Sequence, residues 1–393
     1  MTSSKNGHRV GAALLLALFA GPAAATPSAS PAPLPEAPAP ERSDGSAARL
    51  QAETMPLAAS RSLLLGFAES NARAIAVGER GHVLVSESRT DWRQVAGVPT
   101  RATLTAVAAV GDRVWAVGHD GVILHSGDGG LSWSLQREEL WQPPADDDYE
   151  SLPDPRIGAP LLDVMFLDAD NGFAIGAYAL MLRTRDGGTT WEQVAVTVPP
   201  AEGEGDDGAD VAEASESWTF DEADLALDAE TDPHLNGIAA TPDGLLFIVA
   251  ERGTAFRSRD VGETWERLQL PYDGSMFGVL ALGEGHLLAY GLRGNVLETR
   301  DGGDSWEAVE TDTELSLMGA ANLPGGGFAV VGANGVVLHR SGPELPLTRA
   351  TFVNDNHETP VLSAVLPLGS RTLLVCGERG LGQFNLNGTE ATP

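Results

Sequence analysis

Residues 184–191 read Thr-Arg-Asp-Gly-Gly-Thr-Thr-Trp, and close copies of this stretch occur at 126–133, 258–265 and 299–306. All four fit the pattern Ser/Thr-x-Asp-x-Gly-x-Ser/Thr-Trp without a gap. Asp followed by Gly favours a tight turn, because the carboxylate can accept backbone N–H bonds and Gly tolerates positive φ. The flanking stretches are typical of short strands, so each copy predicts a β-hairpin whose Trp anchors the turn. We therefore expect structural roles for Asp128, Trp133, Asp186, Trp191, Asp260, Trp265, Asp301 and Trp306.

A second unit repeats along the chain: an apolar strand that ends in Gly, or once in Ala, and is followed by a tight turn. It occurs seven times, at 74–78, 114–118, 173–176, 247–250, 288–291, 329–332 and 374–377. Each copy has an apolar strand before it, and most have a further strand and an Asp-containing turn after it. A period of about 40 residues with four strands per unit is typical of β-propellers. The sequence predicts an all-β, seven-bladed propeller of four-stranded antiparallel blades.

The chain divides into three predicted regions. Residues 1–25 have a basic start, a short apolar run and Ala23-Ala24-Ala25, which together are typical of a secretory signal peptide. Residues 26–49 are rich in Pro, Ala and Ser and read as a disordered linker. The propeller is expected over 50–393, with insertions at about 138–160 and 199–233. Since little chain remains after the last blade, we expect 51–57 to supply its outer strand and close the ring.

The composition limits the classes of function. A formal net charge of −30 argues against nucleic acid or an anionic membrane surface as partner. Lys5 is the only lysine and lies in the predicted leader, which excludes lysine chemistry from a mature protein. The single cysteine, Cys376, excludes an internal disulfide. We expect no cofactor, no metal and no membrane insertion, and a monomer exported to the periplasm.

The order of strands separates two sets of turns. If the strands of each blade are labelled A to D, the B–C turns and D–A connections lie at one end and the A–B and C–D turns at the other. The repeated Asp turns are C–D turns, so they lie at the end opposite both insertions. The B–C turns carry Arg at the same position in four blades: Arg80, Arg252, Arg293 and Arg379. The Arg guanidinium is well suited to recognising carboxylates, so these four residues are the predicted partner-binding site. The alternative is that Arg is simply a common exposed turn residue here.

The insertion at 199–233 carries thirteen acidic residues and no basic one. A solvated acidic loop is one interpretation. The other is a tethered arm that takes part in binding, which Trp218 and Phe220 favour because large aromatic residues are unusual in a purely solvating segment.

The repeated C–D turn resembles the Asp-box, or BNR, repeat of sialidases and other propellers. Its combination with Gly-ending strands (AVGERG, AVGHDG and VVGANG) resembles the photosystem II stability/assembly factor family and its non-photosynthetic bacterial relatives. That resemblance implies an exported, non-enzymatic propeller that binds membrane-protein or envelope partners during assembly. It also implies an arginine patch, for which Arg80, Arg252, Arg293 and Arg379 are the candidates, and an inserted loop between blades 3 and 4.

Two other functions remain open. A sialidase-like glycoside hydrolase would need an Arg triad, a Tyr nucleophile with its Glu, and an Asp acid. Arg156-Ile157-Gly158 lacks the Pro of the Arg-Ile-Pro motif of those enzymes, and Tyr178 and Tyr272 are weak nucleophile candidates. A carbohydrate-binding propeller could use Trp141 or Trp218 as a stacking platform.

Overall fold

The computed structural model describes residues 51–55, 58–140, 154–196, 232–343 and 345–386. The predicted signal peptide and linker, and most of both insertions, lie outside these residues. Within them the chain forms seven antiparallel sheets, each built from strands that follow one another in sequence. Six sheets have four strands and the last has three. The predicted all-β, seven-bladed propeller is confirmed.

The blades follow one another along the chain, with the innermost strand A first. Blade 1 comprises β1 (Leu64–Glu69), β2 (Ala74–Gly78), β3 (Val83–Ser86) and β4 (Arg93–Gln94). Blade 2 comprises β5 (Leu104–Val110), β6 (Arg113–Gly118), β7 (Ile123–Ser126) and β8 (Ser134–Arg137). Blade 3 comprises β9 (Leu161–Phe166), β10 (Gly172–Gly176), β11 (Met181–Thr184) and β12 (Glu192–Gln193). Blades 4 and 5 comprise β13 (Leu235–Ala240), β14 (Leu246–Ala250), β15 (Thr254–Ser258), β16 (Glu266–Gln269); and β17 (Met276–Gly283), β18 (His286–Gly291), β19 (Val296–Thr299), β20 (Glu307–Ala308). Blades 6 and 7 comprise β21 (Leu317–Leu323), β22 (Gly327–Gly332), β23 (Val336–Arg340), β24 (Thr348–Thr351); and β25 (Leu362–Pro367), β26 (Thr372–Gly377), β27 (Gly380–Asn385).

The helical content of the described residues is limited to short 3₁₀ turns. They span Ala59–Arg61, Glu79–Gly81, His119–Gly121, Leu292–Gly294 and Ala333–Gly335. In the part of the chain that the structure describes, no helix is both long and apolar enough to cross a bilayer.

The core consists of seven apolar clusters, one between each pair of neighbouring blades. Each B strand is buried on both faces, which explains why these strands read as continuous apolar runs. In β2, Ile75 and Val77 pack towards blade 2 while Ala76 packs towards blade 7. The cluster between blades 7 and 1 joins Leu64 and Leu84 to Cys376, whose thiol pKa is raised by burial. Blade-to-blade packing is therefore continuous around the ring.

The glycines that end the B strands are required by a close contact. A Cβ atom on Gly78 would lie 2.1 Å from the carbonyl oxygen of Leu63, and one on Gly118 would lie 2.0 Å from that of Thr103. The same contact, at up to 2.4 Å, recurs at Gly176, Gly291, Gly332 and Gly377. Backbone approach, which excludes any side chain, accounts for the repeat seen in the sequence.

The predicted closure by 51–57 is not confirmed. Residues 51–55 form no strand, and within the described residues the last blade has three strands. The Ala52 N–H donates to Val98 O (3.0 Å), and the Gln94 side chain bonds the backbone of Glu53 and Met55, so this segment lies against blade 1. Closure needs no shared strand here, because the faces of blades 7 and 1 already pack together.

Candidate partner-binding face

The B–C turns and D–A connections lie at one end of the strands, and the A–B and C–D turns lie at the other, as the strand order predicts. A Cβ on Gly81 in a B–C turn would meet the carbonyl of Thr100 in a D–A connection, and Gly294 approaches Thr313 in the same way. At the other end, Gly187 in a C–D turn lies against Ala169 in an A–B turn. We call these ends the B–C face and the C–D face.

On the C–D face the repeated Asp side chains bond within their own turns. Asp128 accepts hydrogen bonds from the backbone N–H of Leu131 (2.9 Å) and Ser132 (3.0 Å) and from the hydroxyls of Ser132 (2.6 Å) and Ser126 (2.7 Å). Corresponding bonds are made by Asp186, Asp260 and Asp301. The lone pairs of these carboxylates are engaged inside their own hairpins, which leaves little capacity for a ligand.

Hydrogen bonding sets the ionisation of these carboxyls. Partial burial raises the pKa of Asp128, but the bonds from Ser132, Ser126 and Leu131 outweigh it and lower this pKa to about 2. Bonds from the Thr264 hydroxyl and backbone lower the pKa of Asp260 to about 2. The turns are therefore built around charged carboxylates.

The four repeated Trp residues each cover an interface between two blades. Trp133 packs on the cluster between blades 1 and 2, and its indole N–H donates to Gly130 O (2.9 Å). Trp191, Trp265 and Trp306 occupy the corresponding places at the next three interfaces.

The B–C turns present one exposed side chain each in a left-handed conformation. Six of the seven blades share it, at φ between 51° and 59°: Arg80, Asp120, Tyr178, Arg252, Arg293 and Asn334. Asn and Asp adopt this region more readily than other non-Gly residues, so Arg at three of these positions is unusual. Non-Gly residues held there cost about 1 kcal/mol or more each, and such strain tends to occur at binding sites.

The four predicted Arg residues are all exposed on the B–C face, in two pairs. Arg379 and Arg80 belong to the neighbouring blades 7 and 1, and Arg252 and Arg293 belong to the neighbouring blades 4 and 5. Blades 2, 3 and 6 separate the two pairs. Arg379 pairs with Glu358 at 3.3 Å. Among the described residues, Arg80 and Arg293 form no ion pair, which leaves two guanidinium groups available to a partner.

A cleft of about 620 Å³ opens on the B–C face between blades 3 and 4. In the other six blades the residue after the B strand donates its N–H, at 2.8–3.0 Å, to the carbonyl before strand A. Among the described residues Glu251 makes no such backbone bond; its carboxylate instead accepts the N–H of His234 (3.2 Å). The Glu251 side chain therefore holds the D–A connection away from the B–C turn, and the cleft occupies the space between them.

Sequence reasoning missed an acidic residue in the inner strand of blade 3. Asp163 accepts the N–H of Val164 (2.8 Å) and the N–H of Ile238 in blade 4 (2.9 Å). Burial raises the pKa of this carboxyl to about 6, against the effect of those two bonds. By strand register the other six blades carry Gly or Ala at this position. Aligning the seven repeats would have revealed Asp163 as the exception.

Two other observations bear on chemistry. Of the weak nucleophile candidates, Tyr272 donates its hydroxyl to Leu292 O (3.2 Å), and Tyr178 lies in the cleft. No group of three or more His, Cys, Asp or Glu side chains that could hold a metal occurs within the described residues.

Several solved propeller structures share this fold. A solved structure of YCF48 bound to D1 peptide has a TM-score of 0.57 and 15% identity, covering 86% of this chain and 95% of that one. YCF48 from Cyanidioschyzon merolae gives a TM-score of 0.57 at 14% identity, with 86% and 99% coverage. The WD40 propeller domain of Doa1 gives 0.54 at 10% identity, with 85% and 94% coverage. At these identities the likeness concerns the fold.

A local sequence match agrees with the structural comparison. The photosystem II assembly lipoprotein Ycf48 of Prochlorococcus marinus is 46% identical over 41 residues, which is 10% of this chain and 12% of that protein. The predicted resemblance to the photosystem II assembly factor family is confirmed. No protein-family model matches the chain.

Proposed function

We propose that this protein is an exported, non-enzymatic assembly scaffold that binds a membrane or envelope protein through its B–C face. Arg80, Arg252, Arg293 and Arg379 would engage carboxylates of that partner. The supporting observation is the left-handed conformation of Arg80, Arg252 and Arg293, which the chain maintains at three equivalent, exposed turns despite its local cost.

Two further observations support a protein partner. A YCF48 structure of the same fold contains a bound D1 peptide, so a propeller of this kind can take a peptide ligand. Arg groups presented on a chain of net charge −30 would also give a partner's acidic segment a defined point of attachment. Export to the periplasm is supported by the sequence of residues 1–25, which has the features of a signal peptide.

The test compares two variants with the same change of charge. The B–C variant replaces four residues by Glu: Arg80, Arg252, Arg293 and Arg379. The C–D variant makes the same replacement at Arg113, Arg185, Arg259 and Arg300. These four control residues lie on the C–D face and have 49–58% exposed side chains. Tagged full-length proteins are recovered from the envelope fraction of the host, and co-purified proteins are quantified by mass spectrometry.

We expect the B–C variant to lose a specific partner by at least about ten-fold, with its melting temperature unchanged, while the C–D variant keeps it. Equal recovery with both variants would refute the proposal. Turnover of a fluorogenic sialoside by the wild-type protein, abolished in Tyr178→Phe, would instead favour the glycosidase alternative.

A further inference from the structure

The cleft between blades 3 and 4 is built around a strained turn that presents an aromatic ring. Five of the left-handed turn residues are followed by Gly, but Tyr178 is followed by Ala179, and both have positive φ (57° and 51°). Two consecutive non-Gly residues in this conformation cost about 2 kcal/mol in total. Tyr178 is 41% exposed whereas Ala179 is buried, so burial of the Tyr178 side chain does not explain its conformation.

Neighbouring residues hold this turn in place. The Arg156 guanidinium donates to Tyr178 O (3.0 Å) and also binds the carboxylate of Asp232. The Ala179 N–H donates to Pro233 O (2.9 Å). The Tyr178 ring meets the His234 ring edge to face, with 5.1 Å between centroids and 79° between planes. The aromatic ring is thus fixed before any ligand arrives.

The charge in the cleft favours a cation. Glu251, with a side chain 35% exposed, accepts the His234 N–H and has His234 Nδ1 at 3.6 Å. Asp232 also lines the cleft, and Asp154 lies beside it on Arg156. Two carboxylates, those of Asp232 and Glu251, and one guanidinium, that of Arg252, therefore line the cleft, and Asp232 is also paired with Arg156, within a chain of net charge −30. A tyrosine ring next to a carboxylate is a suitable environment for guanidinium or ammonium groups.

We infer that this cleft binds an Arg or Lys side chain of an extended partner segment, with the cation over the Tyr178 ring and against the Glu251 carboxylate. The inference rests on the proposed function and specifies the partner further. The partner would carry a basic side chain in addition to the carboxylates that meet the Arg turns.

The test uses three labelled peptides with the sequence Gly-Ser-Gly-X-Gly-Ser-Gly, where X is Arg, Lys or citrulline. Citrulline keeps the shape of Arg without its charge. Fluorescence anisotropy titrations at low ionic strength give the dissociation constant of each peptide for the full-length protein. We expect the Arg and Lys peptides to bind at least about five-fold more tightly than the citrulline peptide. Tyr178→Ala and Glu251→Gln should each reduce that preference by about two- to five-fold.

Two controls make the outcome decisive. Glu307→Gln, an exposed carboxylate on the outer strand of blade 5, should leave the preference unchanged. Arg80→Glu with Arg379→Glu, in blades 1 and 7, should not weaken Arg-peptide binding, which separates this cleft from the Arg turns of the proposed function. Equal binding of all three peptides to the wild type would overturn the inference. A preference that persists in both cleft variants would also overturn it and assign the effect to general acidity.

Discussion

At the scale of single residues, Asp163 and Asp128 show how two environments change one carboxyl group in opposite directions. Asp163 lies in the inner strand of blade 3, and burial raises its pKa to about 6. Asp128 lies in an exposed turn, where hydrogen bonds lower its pKa to about 2 despite partial burial. The role of Asp128 is visible in the sequence because the C–D turn repeats the same residues, whereas Asp163 stands out only when the inner strands of the seven blades are aligned with one another.

Asp163 should make folding stability depend on pH. The pKa of Asp163 is higher in the folded state than the usual 3.8, so between about pH 4 and 6 the folded protein binds more protons than the unfolded chain does. The free energy of unfolding therefore increases as the pH falls through 6. Relative to Asp163→Asn, the wild type should gain up to about 3 kcal/mol between pH 7 and 4. Urea unfolding of both proteins across this range measures the difference; a pH-independent difference would contradict the assignment.

Asp128 should behave in the opposite way. Asp128→Ala removes four hydrogen bonds and should lower the free energy of unfolding by about 1–2 kcal/mol at neutral pH. Because the folded pKa is depressed, that contribution is present above about pH 4 and is lost as pH falls through about 2. Denaturant melts at pH 7 and pH 2 check this, with Glu307→Ala as an exposed control. A deficit of equal size at both pH values would argue that the charge is not involved.

At the scale of elements, blade interfaces combine apolar packing with bonds from one blade to the next blade's turn. Trp115 in β6 is fully buried, stacks on Phe166 of blade 3 (3.5 Å between centroids, 12° between planes) and donates to Gly187 O (3.0 Å). In blade 4, Arg257 reaches the following C–D turn, where it bonds Gly302 O (2.8 Å) and Asp304 (2.6 Å). The C–D hairpins thus also connect neighbouring blades.

The Trp115 contacts give a graded prediction. Trp115→Ala should lower the free energy of unfolding by about 3–5 kcal/mol, because it empties a buried volume. Trp115→Phe keeps an aromatic ring, and the Gln136 side chain still donates to Gly187 O (3.0 Å), so its cost should be about 1 kcal/mol. Calorimetric melts of both variants provide the measurement. Equal losses would mean that the indole N–H, and not the ring volume, carries the stability.

Strands, blade number and the separation of the two faces could be predicted because they depend on local patterns that repeat. The position of residues 51–55 could not, since Glu53 and Met55 bond to the Gln94 side chain of blade 1, a contact that no repeat in the sequence indicates. The cleft between blades 3 and 4 was also missed. It arises in blade 4, where among the described residues Glu251 lacks the backbone bond of the other six blades and where the B strand ends in Ala250 instead of Gly. That exchange is visible in the sequence, but its effect depends on how closely the backbone before strand A approaches this position.

At the scale of the whole molecule, the two faces differ in the turns that they carry. The C–D face carries the repeated, internally bonded turns, and the B–C face carries the strained Arg turns and the cleft. The stretch that identifies the fold, 184–191, therefore lies away from the proposed binding surface. Residues that determine the architecture and residues proposed to bind the partner occupy opposite ends of the same strands.

The most direct test is hydrogen–deuterium exchange of the full-length protein alone and in complex with the partner recovered from the envelope. We predict slower exchange in the partner-bound state in peptides that contain Arg80, Tyr178, Arg252 and Arg293, with no change at 126–133, 184–191, 258–265 and 299–306. Protection confined to the four repeated C–D turns would contradict the account.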